Sequence, residues 1–112
     1  MEKVNTYTKI IENFFQEYII ERKKSIQPLE YQMIIDEKRL HFQLIYLGWE
    51  REYYVHNIVY HFDIINDKIW IQKNETDENI APELMKRGVP NTDIVLGLQP
   101  LEYRQYTGYA VC

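Results

Sequence analysis

The residues best suited to chemistry lie in the stretch HFDIINDKIWIQKNETDENIAPELMKRGVP, from His61 to Pro90. His61 and Asp63 stand two apart in an alternating segment, so on a strand both side chains leave one face about 7 Å apart. A carboxylate beside an imidazole can orient it as a general base. With Asn66-Asp67 as a two-residue hairpin turn, Asp63 falls opposite Trp70 and His61 opposite Gln72. These four residues make a semi-polar face, and Tyr60, Phe62, Ile64, Ile69 and Ile71 make the apolar face behind it. No Ser or Cys adjoins the pair as a nucleophile, since Ser25 and Cys112 are remote in sequence. A structural or interface role therefore outweighs catalysis, and no catalytic residue is assigned.

Other candidate sites are weaker. His56 and His61 differ in parity and would point to opposite faces of a regular strand. There is no HExxH, no CxxC pair and no Gly-rich phosphate loop. No metal and no cofactor are expected. Glu75, Asp77 and Glu78 form an acidic loop ahead of a helix, where the helix dipole favours negative charge. In YRQYTGY, Arg104, Tyr106 and Thr107 offer residue types common at interfaces, where Arg and Tyr often anchor a partner.

The elements that position these residues can be read from periodicity. Val4, Tyr7, Ile11, Phe14 and Tyr18 recur at spacings of three and four, widened by Ile10, Phe15 and Ile19, which predicts a helix over about 3–24. The basic run ERKK suits its C-terminal end. Pro28 closes the following linker, and the period then changes to two. Leu29, Tyr31, Met33 and Ile35 alternate, as do Leu40, Phe42, Leu44 and Tyr46 after the polar turn DEKR. A long strand over about 53–65 and the strand KIWIQK follow. Four strands with short polar turns predict an antiparallel meander. Thr76 or Asp77 is expected to cap a second, short helix with Pro82 in its first turn, stopped by Gly88 and Pro90. DIVLGL reads as a further short strand-like segment, and LEYRQYTGYAVC as an alternating tail too apolar to hang free. The expected fold is α+β in one domain over 1–112: a long N-terminal helix on an antiparallel sheet of four or more strands, with a short second helix.

Composition narrows the function. The 112 residues carry a net charge of −4, and the basic residues are scattered. A domain holding DNA by itself needs a cationic surface to neutralise phosphates, so direct nucleic-acid binding is disfavoured. Ten Tyr, four Phe and two Trp exceed what a small core requires, which suits a protein interface and allows a homodimer. One cysteine, no signal-peptide pattern and no long apolar run lead to the expectation of a cytoplasmic protein without a membrane span.

Four blocks together, LGWE at 47–50, the stretch 61–90, DIVLGL at 93–98 and YRQYTGYAV at 103–111, resemble the XisI-like family, the fdxN element excision controlling factors found chiefly in cyanobacteria. The helix YTKIIENFFQEY fits the same family. Positions matching the family pattern are Gly48, Trp49, His61, Asp63, Trp70, Gln72, Gly97, Arg104, Thr107 and Gly108. The chain departs from it with Asn66-Asp67 in place of Asp-Gly, and with Asn74-Glu75-Thr76-Asp77 in place of Asp-Gly-Thr-Glu. The resemblance implies a non-enzymatic accessory protein acting through an XisH-like partner in the excision of a DNA element during heterocyst development. Two alternatives stand beside it: an inhibitor or antitoxin of a nuclease-like companion that uses the acidic surface, and a small enzyme using His61 and Asp63.

Overall fold

The computed structural model describes residues 2–23 and 29–112; the linker closed by Pro28, with Lys24 and Ser25, lies outside the described residues. Helix α1 spans Glu2–Lys23 and the strands β1 Glu30–Asp36, β2 His41–Glu50, β3 Tyr53–Ile65 and β4 Lys68–Asn74 follow as an antiparallel meander. Helix α2 (Ile80–Lys86), a 3-10 turn (Asn91–Asp93), β5 (Ile94–Val95) and a four-residue helix α3 (Leu101–Arg104) complete the chain. Strand order is β1-β2-β3-β4-β5. The segment read as strand-like does form β5, but it pairs parallel to β4, since α2 carries the chain back across the sheet. The tail departs from the expected alternation: it turns through α3 and then bridges Ala110 to Val95.

The α+β expectation holds because the apolar periods are complementary. The α1 stripe delivers Tyr7, Ile11, Phe14 and Phe15 to full burial. They meet Phe42, Leu44, Tyr60, Phe62, Ile64, Ile69 and Ile71, the predicted apolar face of the sheet. Phe14 and Tyr60 lie 5.3 Å apart between ring centres and Phe15 and Phe62 5.5 Å apart, both tilted. Such pairs add about 0.5–1.5 kcal/mol each beyond their area burial. Across the far end of α1, the Tyr7 hydroxyl donates to Asp93 and Lys3 Nζ lies 3.0 Å from the same carboxylate.

Turn chemistry is local and follows the sequence. Asn66 and Asp67 both take positive φ, at 51° and 62°, the geometry of a two-residue type I′ hairpin. At the end of α2, Gly88 N–H donates to Met85 O and Val89 N–H to Leu84 O, with Gly88 at φ 107°. This is the Schellman stop that glycine allows. The start of α2 differs from expectation. Its N-cap position is Asn79, not Thr76 or Asp77. Asn74 captures Thr76 instead, its Oδ1 accepting from Thr76 N–H at 2.8 Å and Thr76 Oγ1 at 2.6 Å. The Thr76 hydroxyl in turn accepts from Tyr60 at 3.3 Å, so it serves the loop rather than the helix.

Two bulges break the regular ladder. Leu44 pairs with Tyr60 and Ile45 with Ile58, leaving Val59 as the extra residue of β3. Phe62 pairs with Ile71 but His61 with Lys73, leaving Gln72 as the extra residue of β4. The predicted Asp63–Trp70 pairing is present. The predicted His61–Gln72 pairing is replaced by His61–Lys73, because a bulge sets two residues of one strand against one of the other.

Candidate functional site

The sheet face turned away from α1 carries the polar residues. His41 and Asp63 are direct partners across β2 and β3, and Gln43 and His61 are the next pair on the same face. Trp70 and Gln72 extend the face onto β4. His41 Nδ1 lies 2.8 Å and His61 Nε2 2.9 Å from the same Asp63 oxygen, Oδ1. Gln72 Nε2 donates to the other oxygen, Oδ2, at 3.2 Å. The second nitrogen of His61 is 3.3 Å from Gln43 Nε2. One tautomer satisfies all of these contacts: His61 donates from Nε2 and accepts at Nδ1, and His41 donates from Nδ1.

Asp63 is only 8 % exposed. Burial alone would push its carboxyl upward, but hydrogen bonds from His41, His61 and Gln72 outweigh it and hold the group below its ordinary value of 3.8. Asp63 therefore stays ionised at the hub of a three-donor network. One exposed imidazole, one partly buried imidazole and a buried carboxylate can share a proton, pin two strands or hold a cation.

His41 was the residue missed in the sequence. It opens β2 twenty-two positions before Asp63, and no motif spacing joins them; the signal was the β2–β3 register. The bulge at Val59 also removes the parity contrast between His56 and His61. Leu47 pairs with His56, Ile45 with Ile58 and Gln43 with His61, so all three β3 residues lie on one face. His56 is nevertheless roughly 13 Å along the strand at about 3.3 Å per residue, too far to join the cluster.

The C-terminal tail covers the other end of this face. The Arg104 guanidinium sits 5.1 Å above the Trp70 ring and donates to the carbonyls of Gln99, Val111 and Gly97 at 3.0, 3.3 and 3.5 Å. Thr107 Oγ1 donates to Arg104 O and accepts from Tyr109 N–H. Arg104 and Thr107 thus bind their own tail. Gly97 presses on the cluster: a Cβ there would lie 2.5 Å from Gln72 Oε1 and 3.0 Å from Trp70 Cε3. Of the predicted residues, His61, Asp63, Trp70, Gln72 and Arg104 are brought together. Tyr106 is 79 % exposed and has no part in the cluster.

Two further surfaces stand out. Glu75, Asp77 and Glu78 are all exposed, with Glu75 paired to Lys73 at 3.0 Å. At the tip of the β2–β3 hairpin, Trp49 and Tyr53 are 61 % and 74 % exposed, and Trp49 packs edge-on against Tyr54 at 5.3 Å. No helix among the described residues is long and apolar enough to cross a membrane.

Comparison with known proteins agrees with this architecture. The crystal structure of a XisI-like protein from Anabaena variabilis ATCC 29413 superposes with a TM-score of 0.88 at 41% identity, covering 97% of this chain and 99% of that one. The fdxN element excision controlling factor XisI from the same organism gives a TM-score of 0.81 at 30% identity, covering 98% and 99%. A comparison with curated proteins gives no match. The family described as XisI protein matches residues 1–111, and the chain belongs to that family.

Proposed function

We propose that this chain is a non-enzymatic accessory protein in the control of DNA element excision, and that it acts by binding a protein partner of the XisH-like type. The observation that carries this reading is its likeness, over nearly the full length of both chains, to a protein described as an fdxN element excision controlling factor. The surface chemistry supports a protein partner over direct DNA contact. The net charge is −4, against the cationic surface that phosphate neutralisation needs. Exposed aromatics at Trp49, Tyr53 and Tyr54 are the residue types that supply binding energy at protein interfaces.

A second reading is supported by the exposed acidic loop. Glu75, Asp77 and Glu78 could stand in for nucleic-acid phosphates, and the chain would then inhibit a nuclease-like companion. Co-expression with an XisH-like protein tests both. A complex should co-purify at low salt, and reversing Glu75, Asp77 and Glu78 to Lys should weaken it if the acidic loop is the contact. Absence of any association at low salt would remove both partner-based readings. Activity by the isolated chain that is lost in a folded His61→Ala variant would instead favour an enzyme built on His61 and Asp63.

A further inference from the structure

We propose that His41, His61 and Asp63 form a binding site for one divalent transition-metal ion of the zinc class, held across the β2–β3 ladder. The donor atoms come from two adjacent strands, and their relative position is fixed by the pairing of His41 with Asp63 and of Gln43 with His61. One ligand atom from each of the three residues lies within 4.8 Å of the others. Bonds of about 2.0–2.2 Å to nitrogen and carboxylate oxygen in a tetrahedral site separate neighbouring donors by roughly 3.4 Å. The two nitrogens now stand 2.8 and 2.9 Å from Asp63 Oδ1. The two nitrogens lie within 4.8 Å of each other. Binding therefore requires each imidazole to back away from Asp63 by about half an ångström and the pair to close on one another by up to about 1.4 Å, a rearrangement made by rotation of the two side chains.

Protons balance without loss or gain. Each neutral imidazole changes tautomer on binding: its one proton leaves the nitrogen that faced Asp63, returns from solvent to the other ring nitrogen, and the freed lone pair binds the metal. For His61 that proton meets Gln43, whose amide turns to present its oxygen. For His41 it faces solvent, since that side chain is 56% exposed. The supporting shell is also present. Gln43 orients His61, and Gln72 holds the Asp63 oxygen not used for the metal. Ligands restrained by such outer contacts are the usual construction of a metal site. Solvent reaches the site from the His41 side, while Asp63 is buried beneath.

The donor set selects the ion class. Two imidazoles and one carboxylate suit Zn²⁺, Ni²⁺, Cu²⁺ or Fe²⁺, whereas Mg²⁺ and Ca²⁺ take oxygen ligands. Three protein ligands leave a fourth position for water or for a side chain from another molecule. This site does not depend on the partner-based function: a chain that binds metal and no XisH-like protein, or the reverse, separates the two.

The test uses the purified full chain, stripped with a chelator and titrated with Zn²⁺ by calorimetry and with Co²⁺ by visible absorption. One ion per chain should bind, with cobalt bands of a histidine-containing low-symmetry site. Gln43→Ala should weaken binding about 10–100-fold, as loss of an outer-shell contact does, and His41→Ala and Asp63→Asn should weaken it further. His56→Ala and Cys112→Ser should leave it unchanged. His41 is on the surface, so its variant should fold, and a circular-dichroism spectrum checks this. No stoichiometric binding by the wild-type chain, or undiminished binding by folded His41→Ala, overturns the proposal and leaves the cluster a hydrogen-bonded pin.

Discussion

Tyr7, in the second turn of α1, donates its hydroxyl proton to Asp93, 86 residues further along the chain. The bond joins the N-terminal helix to the turn that starts β5, and Asp93 is 7 % exposed, so neither group can be replaced by water without rearrangement. Tyr7→Phe should cost about 1–2 kcal/mol, the value of a hydrogen bond to a charged group after discounting. Urea unfolding at neutral pH measures it.

The same pair sets pH limits on stability. Burial pushes the Asp93 carboxyl up, but the Tyr7 and Lys3 contacts outweigh it and leave its pKa below 3.8. Its contribution is therefore intact above the unfolded value and lost as pH falls through the lowered folded value. Burial and the Asp93 carboxylate raise the Tyr7 pKa above 10.0, so that contribution is intact below pH 10.0 and declines as pH climbs toward the folded value. The stability difference between wild type and Asp93→Asn should shrink below about pH 4. The difference from Tyr7→Phe should shrink above about pH 10. A difference that stays constant across either limb would contradict the corresponding assignment.

Asp63 holds three donors, and removing it leaves them without their acceptor. Asp63→Ala should destabilise by about 2–3 kcal/mol, because buried unsatisfied polar groups cost more than the bond itself contributes. His41→Ala should cost less than His61→Ala, since His41 is the more exposed of the two. Chemical denaturation of the three variants gives the ranking.

Gly97→Ala should act on the polar face through contact alone. The added methyl would meet Gln72 Oε1 and the Trp70 ring, and Gln72 cannot swing away without releasing Asp63. A cost of about 1–3 kcal/mol is expected for such overpacking. A change in Trp70 fluorescence should accompany it, because Arg104 and the tail would be displaced from the ring. A Gly97→Ala protein with unaltered stability and emission would show that the contact is slack.

The β3–β4 turn should accept glycine with gain. Asp67 sits at φ 62°, a conformation that Gly adopts without a Cβ penalty, and Asn-Gly is the preferred type I′ pair. Asp67→Gly should stabilise by about 0.5–1 kcal/mol, read as a higher melting temperature. A lower one would mean that the Asp67 side chain supports the hairpin more than the backbone resists it.

Much of this protein was legible from local pattern. The α1 stripe, the alternation of four strands, the Asn66-Asp67 hairpin and the Gly88 stop each depend on residues within a few positions of one another. Side-chain period and turn chemistry are set at that range. The grouping of His61, Asp63, Trp70 and Gln72 on one face was readable for the same reason. The N-cap of α2 falls at Asn79 and not at the expected Thr76, because Thr76 has a competing local partner in Asn74 and a distant one in Tyr60 that engage its hydroxyl.

What the tertiary structure decided was everything that rests on register or return of the chain. Two bulges changed which residues share a face and replaced His61–Gln72 by His61–Lys73. The β2–β3 pairing brought His41 to Asp63, and the path through α2 made β5 parallel and seated Arg104 on Trp70. None of these has a fixed sequence spacing, because the position of a bulge and the landing place of a returning segment minimise the energy of the whole packed sheet. The amino-acid pattern chose the faces; the packing of α1, the sheet and the tail chose which side chains meet on them.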